Sequence, residues 1–167
     1  VSFYNQSVIN GEEVPVFPTP TIGMIGILED RKKMMTLHFK DAGHHIFLLG
    51  KSTDDIGCSE YLYSYHKVKY STAPVFDLEE EFAVQKLIRE LIAMNLVSSA
   101  HDVSDGGLFI SLLESAMAGK KGFAISTDED YRKDAFLFGE SQGRIVVSVS
   151  EDQLDAFTEM VADSGLE

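Results

Sequence analysis

An α+β domain is predicted for this chain by three features. Helical stretches with apolar residues three and four apart alternate with short β-branched runs, and an Asn-Gly hairpin signal opens the chain. Alternation alone would suit a parallel doubly wound sheet, but the shortness of the strands and the hairpin leave strand direction open. At 167 residues and 18.5 kDa the chain holds one full domain and a piece of another. Its net charge of −13 and sequence pI near 4.7 argue against nucleic acid or an anionic membrane as partner, because both need a basic face. Cys58 is the single cysteine, so an internal disulfide and a thiolate zinc site are excluded, which suits a reducing cytoplasm. No apolar run reaches membrane-spanning length and no signal peptide is recognisable. The opening residues, without an initiator methionine, are patterned like the edge of a folded unit and suggest a piece of something longer.

In chain order, Ser7-Val8-Ile9, Asn10-Gly11 and Glu12-Glu13-Val14-Pro15-Val16 spell a hairpin, since Asn-Gly supplies the positive φ angles of a type I′ turn. Pro18-Thr19-Pro20 punctuates it. Residues 21–28 are β-branched and apolar, long enough for a buried strand, and the charged residues 29–33 end it, so a domain boundary is placed after Leu28. Ile46-Phe47-Leu48-Leu49-Gly50 reads as a central strand buried on both faces. A loop over 51–57 leads into a short helix at 59–65. Asp77 opens the strongest helix, with Glu80 three residues on and a core stripe of Val84, Leu87, Ile88, Leu91 and Ile92. A strand then leads to Asp102. The following helix is expected to turn Leu108, Phe109, Leu112, Leu113, Ala116 and Met117 inward. Residues 122–126 read as a strand, a polar segment follows, and Ile145-Val146-Val147-Ser148-Val149 is the clearest strand of all. Leu154, Phe157, Met160 and Val161 mark a final helix.

The most informative stretch is Ala100-His101-Asp102-Val103-Ser104-Asp105-Gly106-Gly107-Leu108, a strand that ends in a glycine turn at the mouth of a helix. Gly106 and Gly107 let backbone N–H groups approach a ligand, and the helix adds its positive dipole end. A bare phosphate would be repelled by Asp102 and Asp105. The pair therefore holds a cation or a ribose hydroxyl, or else Asp105 or Ser104 is simply the helix N-cap. Gly139-Glu140-Ser141-Gln142-Gly143-Arg144 packs a carboxylate, a hydroxyl and an amide between glycines ahead of a strand. Such a loop clamps a sugar, a phosphate or an amide, or is a polar turn. His44 and His45 adjoin but point to opposite faces of a strand, which disfavours a shared metal, and alternation sends one of His101 and Asp102 to the core. No Walker-type motif and no Ser-His-Asp spacing is present.

Val1-Ser2-Phe3-Tyr4-Asn5, Pro18-Thr19-Pro20-Thr21-Ile22-Gly23, Ser59-Glu60-Tyr61-Leu62, the run 100–108 and the run 137–142 together resemble, in order and over nearly the whole chain, the C-terminal part of the phosphoribosylformylglycinamidine synthases. The short Gly-Glu-Ser-Gln loop and the Asp-Val-Ser-Asp motif are similar to the small synthetase type, the PurL subunit, within the AIR-synthetase-like (PurM) superfamily. The resemblance implies an α+β, PurM C-terminal-like domain with a mixed sheet flanked by helices over residues 29–167. It further implies that residues 1–28 are the tail strands of a preceding N-terminal-like domain.

It also implies an activity for the full-length enzyme. ATP activates the amide oxygen of formylglycinamide ribonucleotide, and glutamine-derived ammonia displaces the phosphate to give the amidine, with ATP and Mg²⁺ as cofactors. The implied partners are a glutaminase subunit and a small adaptor subunit, with no nucleic acid or membrane, in the cytoplasm. Ser2 matches the family's substrate-binding serine. The family's catalytic histidines and metal-binding carboxylates fall outside these residues, so no catalytic or metal-binding residue is expected here. Asp102, Asp105, Gly106, Gly107, Glu140, Ser141 and Gln142 then belong to a pseudo-symmetric auxiliary site, and the isolated chain is expected to be inactive and to hold no tightly bound cofactor. Cys58 stands where the family has glycine. Two alternatives remain: a non-catalytic nucleotide-binding or subunit-docking module of the same assembly, and an AIR synthetase relative.

Overall fold

The computed structural model describes residues 5–16, 22–127, 130 and 132–166. In chain order its elements are β1 (Gln6–Ile9), β2 (Glu12–Pro15), β3 (His45–Leu49), a π-helical turn (Tyr61–Tyr65), α1 (Leu78–Ala93), β4 (Ser99–Asp102), α2 (Gly107–Gly119), α3 (Lys133–Phe138), β5 (Ile145–Val149) and α4 (Leu154–Ser164), with 3-10 turns at Arg31–Lys33 and Glu151–Gln153. β1 and β2 form the expected hairpin, Ile9 opposite Glu12, with Asn10 at φ 53° and Gly11 at φ 85°.

β3, β5 and β4 form a sheet in that order, and both pairings are antiparallel. The α+β class stands, whereas the mixed strand directions that the resemblance implies are not found among the described strands. β3 is an edge strand, not the central one that its apolar run suggested. A continuous apolar run reports that both faces are covered; it says nothing about how many neighbours the ladder has. The central place belongs to β5.

Both faces are indeed covered, and side-chain alternation divides them. Leu49, Val147 and Val149 join Leu87, Ile88 and Leu91 of α1 and Phe157 of α4 in one core. Val146, with Ile46 and Leu48 packed beside it, joins Leu108, Leu112 and Ala116 of α2 in the other. Asp77 caps α1 by accepting from the backbone N–H groups of Glu79 and Glu80. α2 buries Leu108, Ser111, Leu112, Ser115 and Ala116, whereas Phe109 is partly exposed and Met117 lies 70% exposed. The buried stripe is thus rotated from the one that hydrophobicity alone picks out, because the small Ser111 and Ser115 let α2 sit close to β4.

Two expected strands are not observed. Residues 22–28 form no ladder, and Ile22, Met24, Ile25 and Ile27 are each more than 80% exposed. Their pattern marks a segment built for burial, but none of the described strands pairs with it. Residues 122–126 also form no ladder, although Phe123 packs against the α2 core. α3, in turn, emerges from what reads in sequence as a polar segment.

Candidate functional site

α2 begins where the chain leaves β4 through a tight turn, with Gly107 N–H donating to the Ser104 carbonyl at 3.0 Å. Gly106 is the N-cap residue at φ 86°, Gly107 follows at φ 74°, and no side chain caps the helix. Neither Asp105 nor Ser104 therefore fills the capping role. The Ser104 hydroxyl donates instead to Asp102 Oδ2 at 2.7 Å, and Asp105 is exposed.

The anion at this helix mouth is the chain's own Glu140. Its Oε1 accepts from Gly106 N–H at 2.8 Å and from Glu60 N–H at 2.7 Å. A carboxylate is favoured at a helix N-terminus by the unpaired amides and the dipole. Glu140 thereby ties the loop before the π-helical turn to the mouth of α2. The glycines make the same junction possible by lacking a side chain. A Cβ at Gly107 would lie 2.7 Å from the Phe138 backbone and the Gly139 carbonyl, and one at Gly139 would lie 2.4 Å from the Ala135 carbonyl and 2.5 Å from that of Asp55. The segments around 55–62, 104–107 and 137–142, far apart in sequence, meet here.

Behind the loop, Arg144 is the only charged side chain that is buried among the described residues. Its guanidinium donates to the carbonyls of Gly139 and Ser141, Nη1 has no hydrogen-bond partner, and burial pushes its pKa down. Ser141 and Gln142 turn the other way from Glu140. They open on a cavity of about 280 Å³ bounded by Lys51, Phe76, Asp77 and Glu80 at the start of α1. Gly50 closes it at φ 91°, where a Cβ would lie 1.8 Å from the Gly143 carbonyl.

The seven candidate residues at 102–107 and 140–142 therefore split. Gly106, Gly107 and Glu140 form the junction, Asp102 lies beside it through Ser104, Asp105 faces solvent, and Ser141 and Gln142 belong to the α1 cavity. Ser2 lies outside the described residues, as do 18–21 of the quoted motifs. His101 faces α2, with Nδ1 3.1 Å from the Ser111 carbonyl and Nε2 3.3 Å from Glu114 Oε2. His45 pairs with Glu151 at 2.6 Å, while His44 lies 3.9 Å from Asp41, so the adjacent histidines share no ligand. Among the described residues no three His, Cys, Asp or Glu side chains come together as a metal site. The residues present do not fit a magnesium ion. Nor does the α2 mouth fit a triphosphate, because Gly106 N–H is already engaged and Asp102, Asp105 and Glu140 would repel the ligand.

The sequence predicts a short helix at 59–65, where the π-helical turn lies, but not the ring stack that it builds. Nor does the sequence mark Arg144 as buried, since an arginine ahead of a strand reads as a surface residue. The π-helical turn stacks Tyr61 between Tyr65 and Phe138, and the signal for it was the tyrosine repeat at 61, 63 and 65.

Residues 41–167 match the family described as AIR synthase related protein, C-terminal domain. The phosphoribosylformylglycinamidine synthase subunit PurL of Moorella thermoacetica is 40% identical over 166 residues, covering 99% of this chain and 22% of the relative. The chain thus spans about a fifth of the length of the curated relatives it matches. Thermotoga maritima PurL complexed with ATP superposes with a TM-score of 0.62 at 20% identity, covering 82% of this chain and 22% of that one. The same protein complexed with FGAR gives 0.63 at 20%, covering 81% and 24%. A structure of PurLQS from Thermotoga maritima gives 0.59 at 19%, covering 81% and 22%. No helix among the described residues is long and apolar enough to cross a membrane.

Proposed function

The chain belongs to the AIR synthase related family by its C-terminal domain, and from that premise we propose that it is part of the synthetase subunit of a phosphoribosylformylglycinamidine synthase. The observation that carries this reading is the 40% identity to PurL over 99% of the chain, against only 22% of the relative. The whole enzyme would convert formylglycinamide ribonucleotide, ATP and glutamine-derived ammonia to formylglycinamidine ribonucleotide, ADP and phosphate, in the cytoplasm. A glutaminase and a small adaptor would be its partner subunits, a reading supported by the PurLQS assembly of a structural neighbour. ATP and Mg²⁺ would be held by parts of the enzyme outside these described residues.

Residues 1–28 are proposed as the tail of a preceding domain and 29–167 as the C-terminal-like domain; the family match beginning at residue 41 and the exposed apolar run at 22–28 support that division. Ser2 is proposed to contact the ribonucleotide. Asp102, Asp105, Gly106, Gly107, Glu140, Ser141 and Gln142 are proposed as an auxiliary polar face. In it, Glu140 and the glycines fix the loops, the exposed Asp102 and Asp105 can meet a hydroxyl, and Ser141 and Gln142 face the neighbouring α1 cavity. A chimera tests the reading. When this chain replaces the corresponding fifth of the Moorella thermoacetica subunit, ADP release dependent on formylglycinamide ribonucleotide should persist, and Ser2→Ala should raise the KM for that substrate. A folded chimera without such turnover would overturn it.

A further inference from the structure

Residues 61–76 carry no acidic side chain in a chain of net charge −13, and they hold four of its six tyrosines together with His66, Lys67 and Lys69. The segment opens in a π-helical turn, a rare geometry that recurs at functional sites. The turn lies between two non-glycine residues in the left-handed region, Cys58 at φ 55° and Lys67 at φ 59°. Such strain persists only where the surrounding structure enforces it.

What the turn achieves is a ring stack. Phe138 and Tyr61 lie 4.8 Å apart at 8°, and Tyr61 and Tyr65 lie 5.3 Å apart at 14°. His66 packs edge-on against both tyrosines at 4.9 Å. The inner end is anchored, since Phe138 closes α3 and meets Phe109 of α2 at 5.9 Å. The outer end is open among the described residues: Tyr65 is 72% exposed. Lys67 is fixed beside it by donating to the Ser64 carbonyl at 2.6 Å, and Lys69 is exposed. The acidic neighbour Glu60 is engaged by the Ser64 hydroxyl.

We propose that the exposed face of Tyr65 is a stacking site for the base of a nucleoside phosphate, with Lys67 and Lys69 taking the phosphate. A flat heteroaromatic ring extends an existing stack at the spacing the three rings already keep. The acidic remainder of the chain does not forbid an anion here: residues 61–76 contribute only basic charges, Glu60 is held by Ser64, and charges beyond about 8 Å are largely screened at physiological salt. This site is separate from the α2 mouth, does not depend on the synthetase reading, and needs only this chain.

The experiment titrates the 167-residue chain with AMP, adenosine and ribose 5-phosphate. The readouts are tyrosine emission, which no tryptophan obscures, and the NMR shifts of the adenine H2 and H8 protons. AMP should quench saturably and show upfield ring-current shifts. Tyr65→Ala should weaken AMP about tenfold, the loss of one base–ring stack, while Tyr65→Phe should stay within about threefold because it keeps the ring. Lys67→Ser with Lys69→Ser should weaken AMP but leave adenosine unchanged. Ribose 5-phosphate binding as tightly as AMP, an unchanged affinity in a folded Tyr65→Ala, or no saturable AMP binding would each overturn the proposal. If Tyr65→Ala does not fold, the adenine shifts with the unaltered chain decide it: upfield movement supports the stack and its absence overturns it.

Discussion

At the scale of single residues, Glu140 does more than its neighbours in the motif. One oxygen accepts two backbone N–H groups from distant segments, and each hydrogen bond to a charged group contributes about 1.5–3 kcal/mol when made in shelter from water. Glu140 is only half-buried, so Glu140→Ala should cost about 2–4 kcal/mol in thermal or denaturant unfolding. Glu140→Gln keeps an acceptor in the same place and should lose less than half of that. Equal losses would show that the carboxylate is not what holds the junction. The two aspartates present the opposite case. Since α2 is capped at Gly106 without a side chain, Asp102→Asn and Asp105→Asn should each leave stability within about 0.5 kcal/mol. A melting-temperature drop of several degrees for Asp105→Asn would mean that it supports the turn after all.

At the scale of elements, two backbones touch without side chains between them. α2 enters against the end of α3 at Gly107, where an alanine would need φ 74° and would push its Cβ to 2.7 Å from the Phe138 backbone. Gly107→Ala should therefore destabilise by about 2–4 kcal/mol, read by chemical denaturation. The start of α3 carries a pH-dependent contact. Arg132 donates to both oxygens of Asp134 at 2.7 Å and holds that carboxyl below its usual range. A depressed folded-state pKa adds stability above the unfolded value of about 3.9 that is lost as pH falls through the lower folded value. Helix signal from α3 should fall only in that acid window, and Asp134→Asn should remove the dependence. The same elements show what sequence could convey. Asp77, the stripe of α1 and the run of β5 were legible because the cap, the 3.6-residue period and the β-branched pattern are local properties. The edge position of β3, the exposure of residues 22–28 and the partners of Glu140 were not, since each depends on which distant segment lies alongside. The rotated stripe of α2 was hidden for another reason: Ser111 and Ser115 are buried by size rather than by hydrophobicity.

For the whole molecule, polar loops meet at one junction around Glu140, and under the proposed reading the catalytic residues lie elsewhere in the longer enzyme. The isolated chain should release no ADP when given formylglycinamide ribonucleotide, ATP, magnesium and ammonia; measurable release by a coupled assay would move catalytic residues into this segment. The central place of β5 has a consequence for how the molecule comes to exist at all. Every ladder of the three-stranded sheet runs through it, and its partners are remote in sequence: His45 pairs with Val149, and Ser99 with Ser148. Pairings this distant in sequence form slowly, since a long loop must close first. During synthesis, then, β3, α1, β4 and α2 must leave the ribosome and wait with their apolar faces uncovered. The fold closes only when residues 145–149 arrive near the end of the segment.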